Sequence, residues 1–256
     1  MIEAIVHGKL SRDQENMEDI LTSNVFGLLK HVPTPHGLLP FLAHAETLNG
    51  ERFITDPAQD VQVNFKFWPW MEEAGCVRCQ PDVLLSMSWP TGRQCLVLVE
   101  SKYRCGKSSE EDWEIEASND QLGKEWENLE KVAAQRSMEP ILIFLTAHLS
   151  APTADIVESA RKHVTFGRTF KCYWLSWRHL SNIPVSHPLL HDLHRLLDRL
   201  NLIFFAGIRL FRARPIRSWM FARPLFAFDR PQDLRWRFGH EYNFADKRYV
   251  LNWRFR

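Results

Sequence analysis

Leu96-Val97-Leu98-Val99-Glu100-Ser101-Lys102-Tyr103 is the most strand-like apolar run of the chain, and it ends in two charges. Side chains alternate faces along a strand, so Glu100 and Lys102 emerge on the same side. An apolar strand carries a carboxylate and an ammonium at its end only when they have a partner or a task. Upstream, Gln80-Pro81-Asp82-Val83-Leu84-Leu85 opens a second short apolar run headed by another carboxylate. Two carboxylates can hold a hard divalent cation, and a lysine beside them can position or polarise a water and stabilise charge developing on phosphorus. The plain alternative is a same-face ion pair between Glu100 and Lys102 at a sheet edge, which leaves Asp82 without a role.

Working outward, Met17, Leu21, Val25 and Leu28 follow helical spacing, so about Gln14 to Lys30 reads as an amphipathic helix stopped by Pro33 and Pro35. Val61, Val63, Phe65 and Phe67 alternate with Gln62, Asn64 and Lys66, the pattern of a half-buried strand. Strands beginning near Asp82 and Cys95 follow, with Pro90-Thr91-Gly92 marking the turn between them. A polar stretch from Gly106 to Asp112 leads into a predicted long helix, about Trp113 to Arg136, facing inward through Leu122, Trp126, Leu129 and Val132 or Ala133. Pro140 to Leu145 is a continuous apolar strand of the kind covered on both faces. Thr153 to His163 reads as a helix, Thr169 to Leu175 as a strand, and His187 to Leu200 as a last helix. The order implies an α/β (α+β) fold with a central mixed β-sheet flanked by helices.

On these residues the chain resembles the PD-(D/E)XK nuclease superfamily, whose fold is called restriction-endonuclease-like. Pro81-Asp82 matches the motif's first half and Glu100-Ser101-Lys102 its second, and no other acid-x-Lys occurs in the chain. The match spans about Gln14 to Thr146 and covers helix, three strands, helix and strand. The resemblance implies a nuclease with Asp82, Glu100 and Lys102 as catalytic residues, and Mg²⁺ or Mn²⁺ as cofactor held by Asp82 and Glu100. It also suggests a metal-approaching glutamate on the first helix, where Glu18 is the candidate and Asp19 its neighbour. An acid stabilised by the helix macrodipole explains Glu18 equally well. Gln121 stands where some members place a glutamine against the site, although a solvent-facing helix residue reads the same way.

At 256 residues the chain can bury a large core without a covalent staple. No apolar stretch reaches transmembrane length and no signal-peptide pattern opens the chain, so a cytoplasmic protein without membrane contact is expected. Five cysteines, an odd number, then argue for reduced thiols. Cys76 and Cys79 could form half of a zinc site, but Cys95 and Cys105 flank the Glu-x-Lys strand at opposite ends, too far apart to complete it easily. His187, His191 and His194 make a row on the last helix, opposite a predicted stripe of Leu189, Leu193, Leu196 and Leu200; a solvated helix face accounts for the row.

The composition changes after Leu200, so a nuclease-like domain over residues 1–200 and a basic C-terminal extension over 201–256 are expected. The extension interleaves arginines with aromatics and carries a net charge of about +8, which the whole-chain value of +1 conceals. Arg212, Arg214, Arg217 and Arg235 are the candidates for phosphate contacts, and Trp219 and Trp236 for base stacking. A β-rich appendix whose arginines meet acids on the core or on another protein is the alternative.

The expected activity is therefore metal-dependent hydrolysis of phosphodiester bonds, with DNA as substrate. The resemblance places such proteins in restriction, repair, mobile-element or phage-defence systems, beside a partner protein of the same system or as a homodimer. A non-catalytic nucleic-acid- or protein-binding module on the same fold is the competing class, and its expected mark is loss of Asp82, Glu100 or Lys102. All three are present.

Overall fold

The computed structural model of the chain describes residue 7 and residues 18–72, 75–103, 120–165 and 167–204. Two units divide the chain, Met1–Phe205 and Ala206–Arg256. Arg212, Arg214, Arg217, Trp219, Arg235 and Trp236 lie outside the described residues.

Helix α1 (Glu18–Leu29) and the short α2 (Leu38–Leu42) precede three strands, β1 (Gln62–Phe67), β2 (Val83–Ser88) and β3 (Gln94–Lys102). Then come α3 (Gln121–Gln135), β4 (Glu139–Thr146), α4 (Thr153–Thr165), β5 (Cys172–Ser176) and α5 (Pro188–Arg199). The strands form one mixed sheet in the order β1-β2-β3-β4-β5. β1, β2 and β3 pair antiparallel, whereas β4 runs parallel to β3 and β5 parallel to β4.

The alternation of side chains explains the layers. Odd-numbered residues Val83, Leu85, Val97, Val99, Ile141, Ile143, Tyr173 and Leu175 enter one core with Leu21, Val25 and Phe26 of α1 and Leu190, Leu193, Leu196 and Leu197 of α5. Even-numbered Leu84, Leu96, Leu98, Leu142, Phe144 and Trp174 enter a second core with Leu122, Trp126 and Leu129 of α3. Central strands covered on both faces must be apolar on both, which is why β3 and β4 read as unbroken runs. Across their sheet, Glu100 and Lys102 share the parity of Leu98, on the α3 side, while Ser101 shares that of Val99, on the α1 side.

β1 is an edge among the described residues, with Gln62, Asn64 and Lys66 exposed. The opposite edge, β5, is covered in part by an antiparallel bridge between Glu46 and Trp174.

Several local expectations are revised. α3 starts at Gln121 rather than near Trp113, because Asp120 has extended backbone (φ −74, ψ 160) and caps the helix through its side chain. Likewise, the last strand begins at Cys172, not Thr169. On α5 the buried stripe is Leu190, Leu193, Leu196 and Leu197, with Leu189 only partly buried. His187 is the N-cap of α5, its ring accepting from the Leu189 N–H at 3.2 Å.

Asp120 yields a stability prediction. Its Oδ1 accepts from the Gly123 N–H at 2.6 Å, and its Oδ2 accepts from the buried Ser159 hydroxyl of α4. Asp120→Ala removes a cap and one of two acceptors of that hydroxyl, which keeps the Asp155 carbonyl at 3.1 Å, so urea unfolding should show a loss of about 1 kcal/mol. A loss below about 0.5 kcal/mol is the size of an ordinary surface change, and would show the cap to be dispensable.

Candidate functional site

The site forms where both layers reach the end of β3. Extending the β2–β3 register by one residue places Asp82 opposite Glu100. One carboxylate oxygen from each of Glu18, Asp82 and Glu100 falls within 4.8 Å of the others, the group among the described residues that could hold a metal ion. Glu18 arrives from the first turn of α1, on the face of the sheet away from α3. Its Oε2 accepts from the Tyr103 N–H at 2.8 Å and its Oε1 lies 3.3 Å from Lys102 Nζ. Asp19, beside it, is exposed and takes no part.

Each member is oriented by neighbours. Asp82 Oδ2 accepts from both the Ser101 N–H (2.8 Å) and the Ser101 hydroxyl (2.7 Å). The Ser101 hydroxyl also meets Thr22 Oγ1 of α1 at 2.8 Å, tying helix, strand and carboxylate together. Glu100 Oε1 accepts from Lys102 Nζ and from Gln121 Nε2, each at 2.5 Å. Glu18, Asp82, Glu100, Lys102 and Gln121, five residues singled out in the sequence, therefore converge.

Glu125 was not among them. It is 1 % exposed on α3, one turn beyond Gln121, and hydrogen-bonds Glu100. The signal was present in the helix periodicity. Glu125 stands three residues after Leu122 and four before Leu129, inside the buried stripe, where an acid needs a partner.

Burial, reinforced by Asp82, raises the Glu100 pKa to about 7. Asp82 is also raised, by burial above all, although its Ser101 hydrogen bonds work against the shift. For Glu125, burial and then Glu100 push the value well above the usual carboxylate range. Burial opposes the Lys102 ammonium as well, yet Glu100, Glu18 and Asp82 outweigh it and hold the pKa above its ordinary value. One ammonium thus sits among more carboxylates than it can neutralise, an electrostatic deficit that a cation would relieve.

The deficit has a pH signature. An acid whose folded pKa exceeds its unfolded value binds its proton more tightly when folded, so stability contributed by Glu100 falls as pH rises from 4.5 to about 7. A divalent cation selects the ionised carboxylates and reverses that loss. In thermal melts, Mg²⁺ or Mn²⁺ should raise the midpoint more at about pH 8 than at about pH 6. Equal shifts at both pH values, or none, would argue against a cation at this cluster.

The remaining metal expectations gain no support. Cys76, Cys79, Cys95 and Cys172 form no disulfide among the described residues, and Cys105 lies outside them. Neither cysteines nor the α5 histidines form a potential metal-binding group among the described residues. In the same residues no helix is long and apolar enough to cross a membrane.

No family model matches the chain, and no curated protein or solved structure matches it either.

Proposed function

We propose that this protein is a metal-dependent nuclease of PD-(D/E)XK type that hydrolyses phosphodiester bonds in DNA. The observation that carries the reading is the convergence of Glu18, Asp82 and Glu100 within 4.8 Å, with Lys102 Nζ against two of them. The chain order adds support, since an antiparallel β1-β2-β3 meander followed by a parallel β4, with α1 and α3 on opposite faces, agrees with a restriction-endonuclease-like core.

The donor set fits a hard divalent cation, because all three ligands are carboxylates and their own ammonium partner leaves them under-neutralised. Bound there, Mg²⁺ or Mn²⁺ supplies Lewis-acid neutralisation of phosphate charge and lowers the pKa of a water. The protein's own residues do the positioning. Lys102 keeps its proton at neutral pH, so it orients a nucleophile and offsets charge on the phosphate instead of acting as a base. Gln121 fixes the Glu100 rotamer, the Ser101 backbone and hydroxyl fix Asp82, and the Tyr103 N–H fixes Glu18. Arginines of the 201–256 segment would add phosphate affinity.

Incubation of purified protein with linear, circular and single-stranded DNA, with Mg²⁺, Mn²⁺, Ca²⁺ or EDTA, tests the reading. Cleavage with Mg²⁺ or Mn²⁺, lost in EDTA, is the expected result. Retained DNA binding without any cleavage would instead favour the binding-module class.

A further inference from the structure

The surface next to Asp82 carries an aromatic residue in an unusual setting. Beyond β1 the chain bends at Trp68, a bulky residue with φ 45, and continues as Trp68-Pro69-Trp70. Positive φ at such a residue is strained and persists only where its surroundings hold it. Here they do. The Trp68 N–H donates to the Asp82 carbonyl at 2.9 Å, Gln80 Nε2 donates to the Trp68 carbonyl at 2.9 Å, and Met71 N–H donates to the Cys79 carbonyl at 3.0 Å. The strained backbone is thus pinned directly to the segment that supplies Asp82.

Trp70 is what this arrangement presents. It is 52 % exposed, the one aromatic among the exposed large hydrophobics of the described residues. The Arg78 guanidinium lies over its ring at 4.3 Å. Glu72 pairs with Arg78 at 3.1 Å, but both side chains are more than half exposed, so water screens the pair. A cation over one ring face, with about half of the side chain open to water, is a setting in which a planar, electron-rich group can stack. Only Pro69 separates Trp70 from Trp68, at most roughly 7 Å of chain, so Trp70 lies on the segment whose backbone is hydrogen-bonded to Asp82.

We propose that Trp70, backed by Arg78, is a stacking platform for an unpaired base, so that the enzyme's substrate is single-stranded or locally unpaired nucleic acid. The proposal rests on the nuclease reading above. A base inside an intact duplex has both faces covered and cannot use such a ring, whereas an unpaired base can, whatever its identity. An apolar protein partner would gain nothing from the neighbouring carboxylates and ammonium, while a phosphodiester has reason to meet both.

The test compares binding of a fluorescent oligothymidine and a blunt duplex of equal length by the full chain, with Ca²⁺ in place of Mg²⁺. Trp70→Ala should weaken oligothymidine binding by about tenfold, within the range that losing one base–aromatic stack produces, and reduce the single-strand preference accordingly. Trp70→Phe should recover most of that loss, because the stacking surface remains. Arg78→Ala should weaken oligothymidine binding by a smaller factor. If the parent cleaves nucleic acid with Mg²⁺ while Trp70→Ala changes the binding of neither ligand, or weakens both equally, the platform is overturned and the nuclease reading stands; a parent that binds without cleaving overturns the nuclease reading instead. If the parent neither binds nor cleaves any of these nucleic acids, both fall together.

Discussion

Asp82→Asn should melt at a higher temperature than the parent without metal, yet cleave about a thousandfold more slowly or worse with it. The two halves of this result have one cause. Burial makes the ionised Asp82 carboxylate costly in the folded protein, and its pKa is raised accordingly. A neutral amide avoids that cost, and its oxygen can still accept from the Ser101 N–H and hydroxyl that now hold Asp82 Oδ2 at 2.8 and 2.7 Å. The gain should be about 1 kcal/mol, or roughly 2–4 °C for a domain of this size. What the amide cannot do is contribute charge to a cation shared with Glu18 and Glu100. The variant should therefore lose most of the metal-induced rise in melting temperature along with its activity. Glu100→Gln is a less clean probe, because it also removes the negative charge paired with the Lys102 ammonium at 2.5 Å. Full cleavage by Asp82→Asn, or full cleavage in EDTA, would mean that different chemistry operates.

The largest loss of stability should come from Phe26→Ala. Phe26 is fully buried on α1, with its ring 6.5 Å from Phe41 and 6.2 Å from Trp177, the latter edge-on. Truncation removes the ring and leaves a cavity between two rigid aromatics that cannot easily collapse into it, at a cost of about 3–5 kcal/mol. For a protein of ordinary stability that is a large fraction of the total, and the melting midpoint should fall by roughly 10 °C. Denaturant titration should show a lower midpoint with an unchanged slope, the mark of a stability change without altered compactness. Because α1 carries both Glu18 and Thr22, the same variant should hold metal less tightly. A cost below about 1 kcal/mol would show that α1 is not locked into the core by this residue.

Much of the candidate site's geometry is legible in the chain because charged residues interrupt regular patterns. Glu100 and Lys102 break an apolar run on β3, and Asp82 heads the neighbouring strand, so the pairing of two strands brings them together. Glu18 and Gln121 required the order of layers as well, since they come from helices on opposite faces. Glu125 was overlooked because acids on helices are so often solvated, and only its place in the stripe between Leu122 and Leu129 marks it as buried. The start of α3 was misplaced for a related reason. The apolar stripe of the helix is regular only from Leu122 onward, and the extended backbone and side-chain cap at Asp120 set where α3 begins. The strain at Trp68 has no signature in composition at all, since backbone dihedrals there depend on hydrogen bonds to Gln80 and Asp82.

The exposed side of β1 bears on how the folded chain avoids its own copies. Among the described residues β5 has part of its outer rim occupied by the Glu46 bridge, which leaves β1 as the more open rim of the sheet. An open rim invites another strand to add, the first step of edge-to-edge aggregation. β1 discourages it in three ways: it is six residues long, it sets Lys66 outward near its end, and the chain turns aside at Trp68 immediately after it. A partner strand would find few backbone groups in line, a charge to desolvate and then a bend. The bend at Trp68, hydrogen-bonded to the Asp82 carbonyl, thus also ends the strand most open to adhesion.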